Sequence, residues 1–112
     1  MRIFQGKLTT NTSYPTENEI ITLITDSGFR AGTTVAISGQ WTVNYNKTPK
    51  ANYFYSGSVS KLEGETIEIF KGQGVYYWFE GTFKNDKLNL KMKKEGNDNY
   101  GQAELSLIFS EA

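Results

Sequence analysis

Apolar and polar residues alternate along this chain with a period of two, and no segment sustains the 3.6-residue period of an amphipathic helix. The alternation predicts eight strands, at about 2–9, 19–25, 33–46, 51–59, 65–70, 75–84, 87–94 and 101–110, divided by polar or glycine-bearing turns. Residues 10–18 and 26–32 read as loops. In the second strand Ile20, Ile21, Leu23 and Ile24 are apolar on both faces. In the third, Val35, Ile37, Gly39, Trp41, Val43 and Tyr45 share one face without a slip, which favours a single long strand bent at Gly39 over two short ones.

One five-residue pattern, apolar, any, glycine, any, apolar, occurs at Phe4-Gln-Gly6-Lys-Leu8, Ile37-Ser-Gly39-Gln-Trp41, Tyr55-Ser-Gly57-Ser-Val59 and Phe79-Glu-Gly81-Thr-Phe83. Residues two apart in a strand point to the same side. Each copy therefore places a glycine on the buried face between two large side chains, where the sheet bends sharply. Eight sequential strands with such bends predict an all-β fold, an eight-stranded antiparallel up-and-down barrel spanning residues 1–112 as a single domain. Closure removes the exposed edges. A two-sheet β-sandwich is the alternative.

Hairpin parity tests the strand faces, because residues paired across a turn point to the same side of the sheet. A two-residue turn at Asn85-Asp86 pairs Phe83 with Leu88, Gly81 with Leu90 and Phe79 with Met92 inside, and Glu80 with Lys91 outside. A three-residue turn at Leu62-Glu63-Gly64 pairs Val59 with Ile67 and Gly57 with Ile69. A turn at Thr48-Pro49-Lys50 pairs Tyr45 with Tyr53, Val43 with Tyr55 and Trp41 with Gly57, laying the indole over the bare glycine. Joining Ile69 to Val75 requires an odd-length loop, since an even one turns Glu68 inward.

Composition narrows the chemistry. With 112 residues the chain is long enough for one core, and without cysteine it has no disulfide and no thiolate ligand. Lys plus Arg and Asp plus Glu both number 12, so no global field attracts nucleic acid or an anionic membrane. Lys84, Lys87, Lys91, Lys93 and Lys94 alternate with apolar residues as the solvated face of a strand. No apolar run is long enough for a signal core or a membrane span, and a soluble, cytoplasmic protein is expected. The chain has no histidine, and its carboxylate pairs, Glu17 with Glu19 and Glu63 with Glu65, lie at strand ends and turns. The expectation is no enzyme, no metal and no cofactor.

Aromatic residues make up 14% of the chain and fall into two sets. The inward set, Trp41, Tyr45, Tyr53, Tyr55 and Tyr77, with Phe79, either fills the barrel or lines the mouth of a small-ligand site. The outward set is Phe54, Tyr76 and Trp78, with Phe70 and Tyr100 placed beside it. These residues are a candidate interface for a protein partner or self-association, or a sugar-stacking platform, unless Lys93 covers Trp78 in a cation–π contact.

The repeated apolar-x-Gly-x-aromatic strands resemble the avidin and streptavidin family and, more loosely, the calycin barrels. That resemblance implies a small binding barrel. The family's first-strand Gly-Thr-Trp-x-Asn aligns with Gly6, Lys7, Leu8, Thr9 and Thr10, and Trp41 and Trp78 are the only tryptophans, so the biotin-site residues are not matched. The functional expectation is a non-enzymatic interaction protein: an inhibitor, an immunity factor or an oligomeric binding module. A small-ligand barrel with a tyrosine-lined mouth, taking an apolar or sugar ligand, is the alternative.

Overall fold

The computed structural model describes residues 1–11, 19–41 and 51–111. Its eight strands are β1 (Arg2–Thr10), β2 (Glu19–Thr25), β3 (Thr34–Trp41), β4 (Ala51–Glu63), β5 (Thr66–Ile69), β6 (Tyr77–Lys84), β7 (Lys87–Lys94) and β8 (Asn97–Ser110). Each pairs antiparallel with its sequence neighbour, and β8 returns to β1, closing the barrel in up-and-down order. The alternation determines the core. On β7, Leu88, Leu90 and Met92 are buried while the intervening residues face out, and Phe4, Leu8, Leu23, Ile37, Ile67 and Phe79 fill the interior from the other strands.

The Asn85-Asp86 hairpin has the expected register, with Gly81 opposite Leu90 and Phe79 opposite Met92. Both turn residues take positive φ, 52° and 59°, the left-handed pair that a two-residue hairpin requires and that Asn and Asp tolerate. A Cβ on Gly81 would collide with the Asn89 carbonyl, and one on Gly6 with the Glu104 carbonyl. At these two bends the neighbouring backbone occupies the space of a side chain.

Two expected registers are corrected. The β4–β5 turn is shorter than expected: Glu63 pairs with Thr66 and Leu62 with Ile67. A bulge between Val59 and Lys61 then brings Val59 opposite Ile69, so that Val59 does not pair with Ile67 nor Gly57 with Ile69. Between β3 and β4, Trp41 pairs with Ala51, Gly39 with Tyr53 and Val35 with Gly57, so the residue opposite Gly57 is Val35 and not Trp41. The expected and observed pairings of Trp41 differ by six residues, an even slip that leaves every side chain on its expected face. Phe70 covers the glycine instead: a Cβ on Gly57 would fall 2.8 Å from Phe70 Cδ1. The expected turn at 48–50 and the end of the long third strand lie outside the described residues.

The β5–β6 connection is odd in length, as parity demanded, with Ile69 opposite Phe79 and Glu68 opposite Glu80. Because β5 has only four residues, β4 runs on past it. The wall is finished there by side-chain chemistry: Ser58 N donates to Gln73 Oε1 at 2.8 Å, Gln73 Nε2 donates to Ser58 O, and Phe70 N donates to the same carbonyl at 3.1 Å. The Gln73 amide thus reproduces one residue of a neighbouring strand.

Candidate functional site

The inward tyrosines gather at one end of the barrel. Tyr53 and Tyr55 stack with centroids 6.2 Å apart and planes 4° from parallel, Tyr55 meets Tyr77 edge-on at 5.7 Å, and Tyr77 meets Tyr100 at 5.0 Å. Tyr77 is 2% exposed and Tyr100 1%, and the Tyr77 hydroxyl donates to that of Tyr100 at 3.4 Å. Burial raises the Tyr53 hydroxyl above its ordinary 10, and burial with the neighbouring Tyr77, Tyr53 and Tyr76 pushes Tyr55 up to about 12. The phenols remain neutral donors across the physiological range. Of the expected ligand-site residues, Tyr53, Tyr55 and Tyr77 are brought together. Trp41 lies at the same end of β3, and Tyr45 lies outside the described residues.

Tyr100 and Phe70, expected beside the outward set, are buried. Lys94 pairs with Asn97 and Met92 with Gly101, so β8 carries three residues against one of β7, and this irregularity turns Tyr100 inward. Phe70, at φ 73°, leaves the end of β5 in a left-handed conformation that folds its ring onto Gly57 and Phe79. Strand alternation carries neither event. At the opposite end Phe29, from the β2–β3 loop, closes the barrel against Phe4 and Phe83, at 5.3 and 4.8 Å. Thr33 Oγ1 holds that loop, accepting from Arg30 N and donating to Gly28 O. Among the described residues, aromatic rings therefore sit at both ends.

The outward aromatics do not form one patch. Phe54 is 69% exposed and Tyr76 60%, the latter with Lys94 Nζ 5.6 Å from its ring centre. Trp78 is half-buried, its Nε1 donating to Glu80 Oε1 at 3.2 Å and its ring beneath Lys71, not Lys93. Glu80 sits opposite Lys91 in register but bonds diagonally to Lys93 at 2.7 Å and to Lys71 at 3.3 Å. The Lys93 hydrogen bond holds the Glu80 carboxyl below its usual range, and Glu80 in return raises the Lys93 ammonium. Trp78 belongs to this polar cluster.

The feature that strand-by-strand reading missed is a sector of outer wall without charge. The outward positions of β2 from Ile20 to Ile24, of β3 from Thr34 to Gln40, and of β4 from Asn52 to Ser56 carry no ionisable side chain, although β1 and β5–β8 carry lysines and glutamates outward. Ile20 is 55% exposed and Ile24 37%. A shallow hollow lies over bare Gly39, rimmed by Ile20, Thr22, Gln40, Asn52 and Phe54, with Glu19, at the start of β2, on its border. Pairing unites Ile24 with Ala36 and Ser38 with Phe54 into one surface. The sequence signal was β2, apolar on both faces, a pattern that belongs to strands covered on both sides.

Among the described residues no group of three or more acidic, histidine or cysteine side chains could hold a metal ion, and no helix is long and apolar enough to cross a membrane. No family model, curated protein or solved structure matches the chain.

Proposed function

We propose that this barrel is a non-enzymatic interaction protein whose contact surface is the uncharged wall of β2, β3 and β4. The observation that carries this reading is the conjunction of exposed Ile20, Ile24 and Phe54 with outward positions of β2 from Ile20 to Ile24, β3 from Thr34 to Gln40 and β4 from Asn52 to Ser56 that carry no charge, the charged groups Lys7, Glu19, Asp26 and Glu111 lying at the border. Contact surfaces are depleted of charge at their centre and anchored by aromatic and aliphatic side chains, whereas ordinary solvent-facing strands carry lysine and glutamate. The buried rings among the described residues support the same reading. Tyr77 and Tyr100 occupy the tyrosine end and Phe29 the other, so recognition falls to the wall. The barrel serves as a rigid scaffold.

A photo-reactive phenylalanine placed at position 54 or 24 tests this in the cells that make the protein. Discrete adducts from both positions, competed by excess wild type and not formed from position 91 on the charged wall, are the expected result. No adduct from the wall, or the same adducts from position 91, would refute it.

A second reading, a small ligand held at the tyrosine end, rests on the half-buried Tyr53–Tyr55 stack. A true ligand at a hundred times its dissociation constant adds about 2.7 kcal/mol of stability, which a thermal-shift screen of apolar compounds and sugars reads directly.

A further inference from the structure

Among the described residues, β4 runs on past the last pair it makes with β5, on the side away from β3. Backbone N–H and C=O groups of alternate residues in a strand point to the same side. Val59 exchanges bonds with the chain leading into β3, its N donating to Thr33 O at 2.9 Å and its O accepting from Gly32 N at 2.9 Å, whereas Ser58 bonds to Gln73 and Phe70 on the β5 side. Asn52, Phe54 and Ser56 therefore aim their backbone groups where Ser58 does. The β4–β5 ladder stops at Val59, and among the described residues no backbone or side-chain group meets the three residues there.

An open edge is a template for another strand, and proteins ordinarily blunt one with lysine, proline, inward charge or a bulge. None of these occurs from Ala51 to Val59, where the sequence is Ala-Asn-Tyr-Phe-Tyr-Ser-Gly-Ser-Val and the bulge begins only at the end. Tyrosine and phenylalanine at the centre of this segment favour strand pairing. The edge is also continuous with the uncharged wall, since Phe54 belongs to both.

We infer that β4 is the dimerisation strand of this protein, pairing antiparallel with β4 of a second copy about a two-fold axis at Phe54. The inference rests on the contact-surface reading and names its partner. The segment complements itself: Phe54 faces its own counterpart, Asn52 faces Ser56 in the second copy, and no charge meets a like charge. The exposed edge groups of Asn52, Phe54 and Ser56 then exchange about six backbone hydrogen bonds across the axis, as paired residues of an antiparallel ladder do. Such an interface is isologous and closes at two copies, which prevents the edge from propagating into a filament. An extended peptide of another protein would use the same groups but would not be tied to this symmetry.

Symmetry supplies the test. Sedimentation equilibrium from micromolar to millimolar protein is run on wild type, Phe54→Lys, Phe54→Glu and an equimolar mixture of the two variants, with far-UV circular dichroism confirming that each is folded. Position 54 is exposed, so neither substitution disturbs the core. Wild type should dimerise, and each variant, with like charges face to face on the axis, should associate at least about tenfold more weakly. The mixture should recover the dimer at low salt, with the Phe54 and Ser56 amides again slow to exchange. A wild type that is monomeric throughout, a variant that still dimerises, or a mixture that stays monomeric would each overturn the inference. A monomeric wild type that still forms wall adducts with a different protein would leave the contact surface standing without its second copy.

Discussion

Phe70 and Gly57 form a lock whose parts can be tested separately. A Cβ introduced at residue 57 meets Phe70 Cδ1 and Gln73 Oε1 at 2.8 Å and Phe70 Cε1 at 3.2 Å, all inside ordinary contact distance. Gly57→Ala should therefore cost about 1–3 kcal/mol as overpacking. Phe70→Ala empties the position of a fully buried ring packed edge-on against Phe79 at 6.1 Å and should cost about 3–5 kcal/mol. If the ring is what excludes the methyl group, the double variant loses less than the two singles combined, with a coupling of about 1–2 kcal/mol. A further contrast isolates the backbone. Phe70 holds φ at 73°, a conformation that costs a non-glycine residue about 1 kcal/mol or more, so Phe70→Gly should match or exceed Phe70→Ala in stability, reversing the usual order. Urea denaturation followed by tryptophan fluorescence and circular dichroism reads all four variants, and midpoints are comparable where the slope is unchanged. Costs that add within about 0.5 kcal/mol would refute the lock. A glycine variant clearly weaker than the alanine variant would refute the strain.

Gly81→Ala should be more damaging than Gly57→Ala, because its methyl group meets the Asn89 carbonyl, main chain held in the β6–β7 ladder, and not the movable end of a side chain; comparing their urea midpoints checks this. Glu80→Gln should lower stability by about 1 kcal/mol near neutral pH by removing the negative charge that Lys93 and Lys71 share and replacing one carboxylate oxygen with a donor. Since the Glu80 pKa is lowered on folding, its contribution is present above the unfolded value of 4.5 and is lost as pH falls through the folded one, so the difference between wild type and Glu80→Gln should shrink in acid melts. Tyr55, raised from 10 to about 12, works in the opposite sense: the unfolded chain releases this proton first, so stability should fall as pH rises from 10 towards 12, and Tyr55→Phe should flatten that limb of a pH–denaturation series.

Strand faces were legible because a period of two survives any even slip in register. That robustness also hid errors. Trp41 could be placed over Gly57 or opposite Ala51 without turning one side chain round, and parity does not separate the two. Asn85-Asp86 was legible to the residue because a tight hairpin leaves no slack, whereas the bulge after Val59 adds a residue that alternation does not register. Phe70 and Tyr100 were misplaced for a related reason: one sits past a strand end at positive φ and the other is among the extra residues of an irregular strand, where alternate positions no longer alternate in space. The uncharged wall is written in three separated segments, and only the β2–β3–β4 neighbour order makes them a surface. The open edge depends on the length of β5, four residues against thirteen in β4, which no periodicity conveys.

The closure of β1 on β8 has a kinetic consequence. Seven of the eight strand interfaces join neighbours in sequence and can form hairpin by hairpin, but the eighth brings Arg2 beside Ser110. Closing a loop of about 100 residues costs roughly 2.5 kcal/mol more chain entropy than closing one of about 5, unless the intervening meander has already drawn the ends together. Folding should therefore run as a zipper that shuts last at this seam, and the slow step should respond to substitutions in β1 and β8 before those in β7. Among the described residues the seam also has the longest register, nine pairs from Arg2 to Thr10 with one bulge between Ile3 and Phe4, and the Met1 ammonium lies 3.2 Å from the Glu111 carboxylate beyond it. The pairing that assembles last is the longest among the described residues.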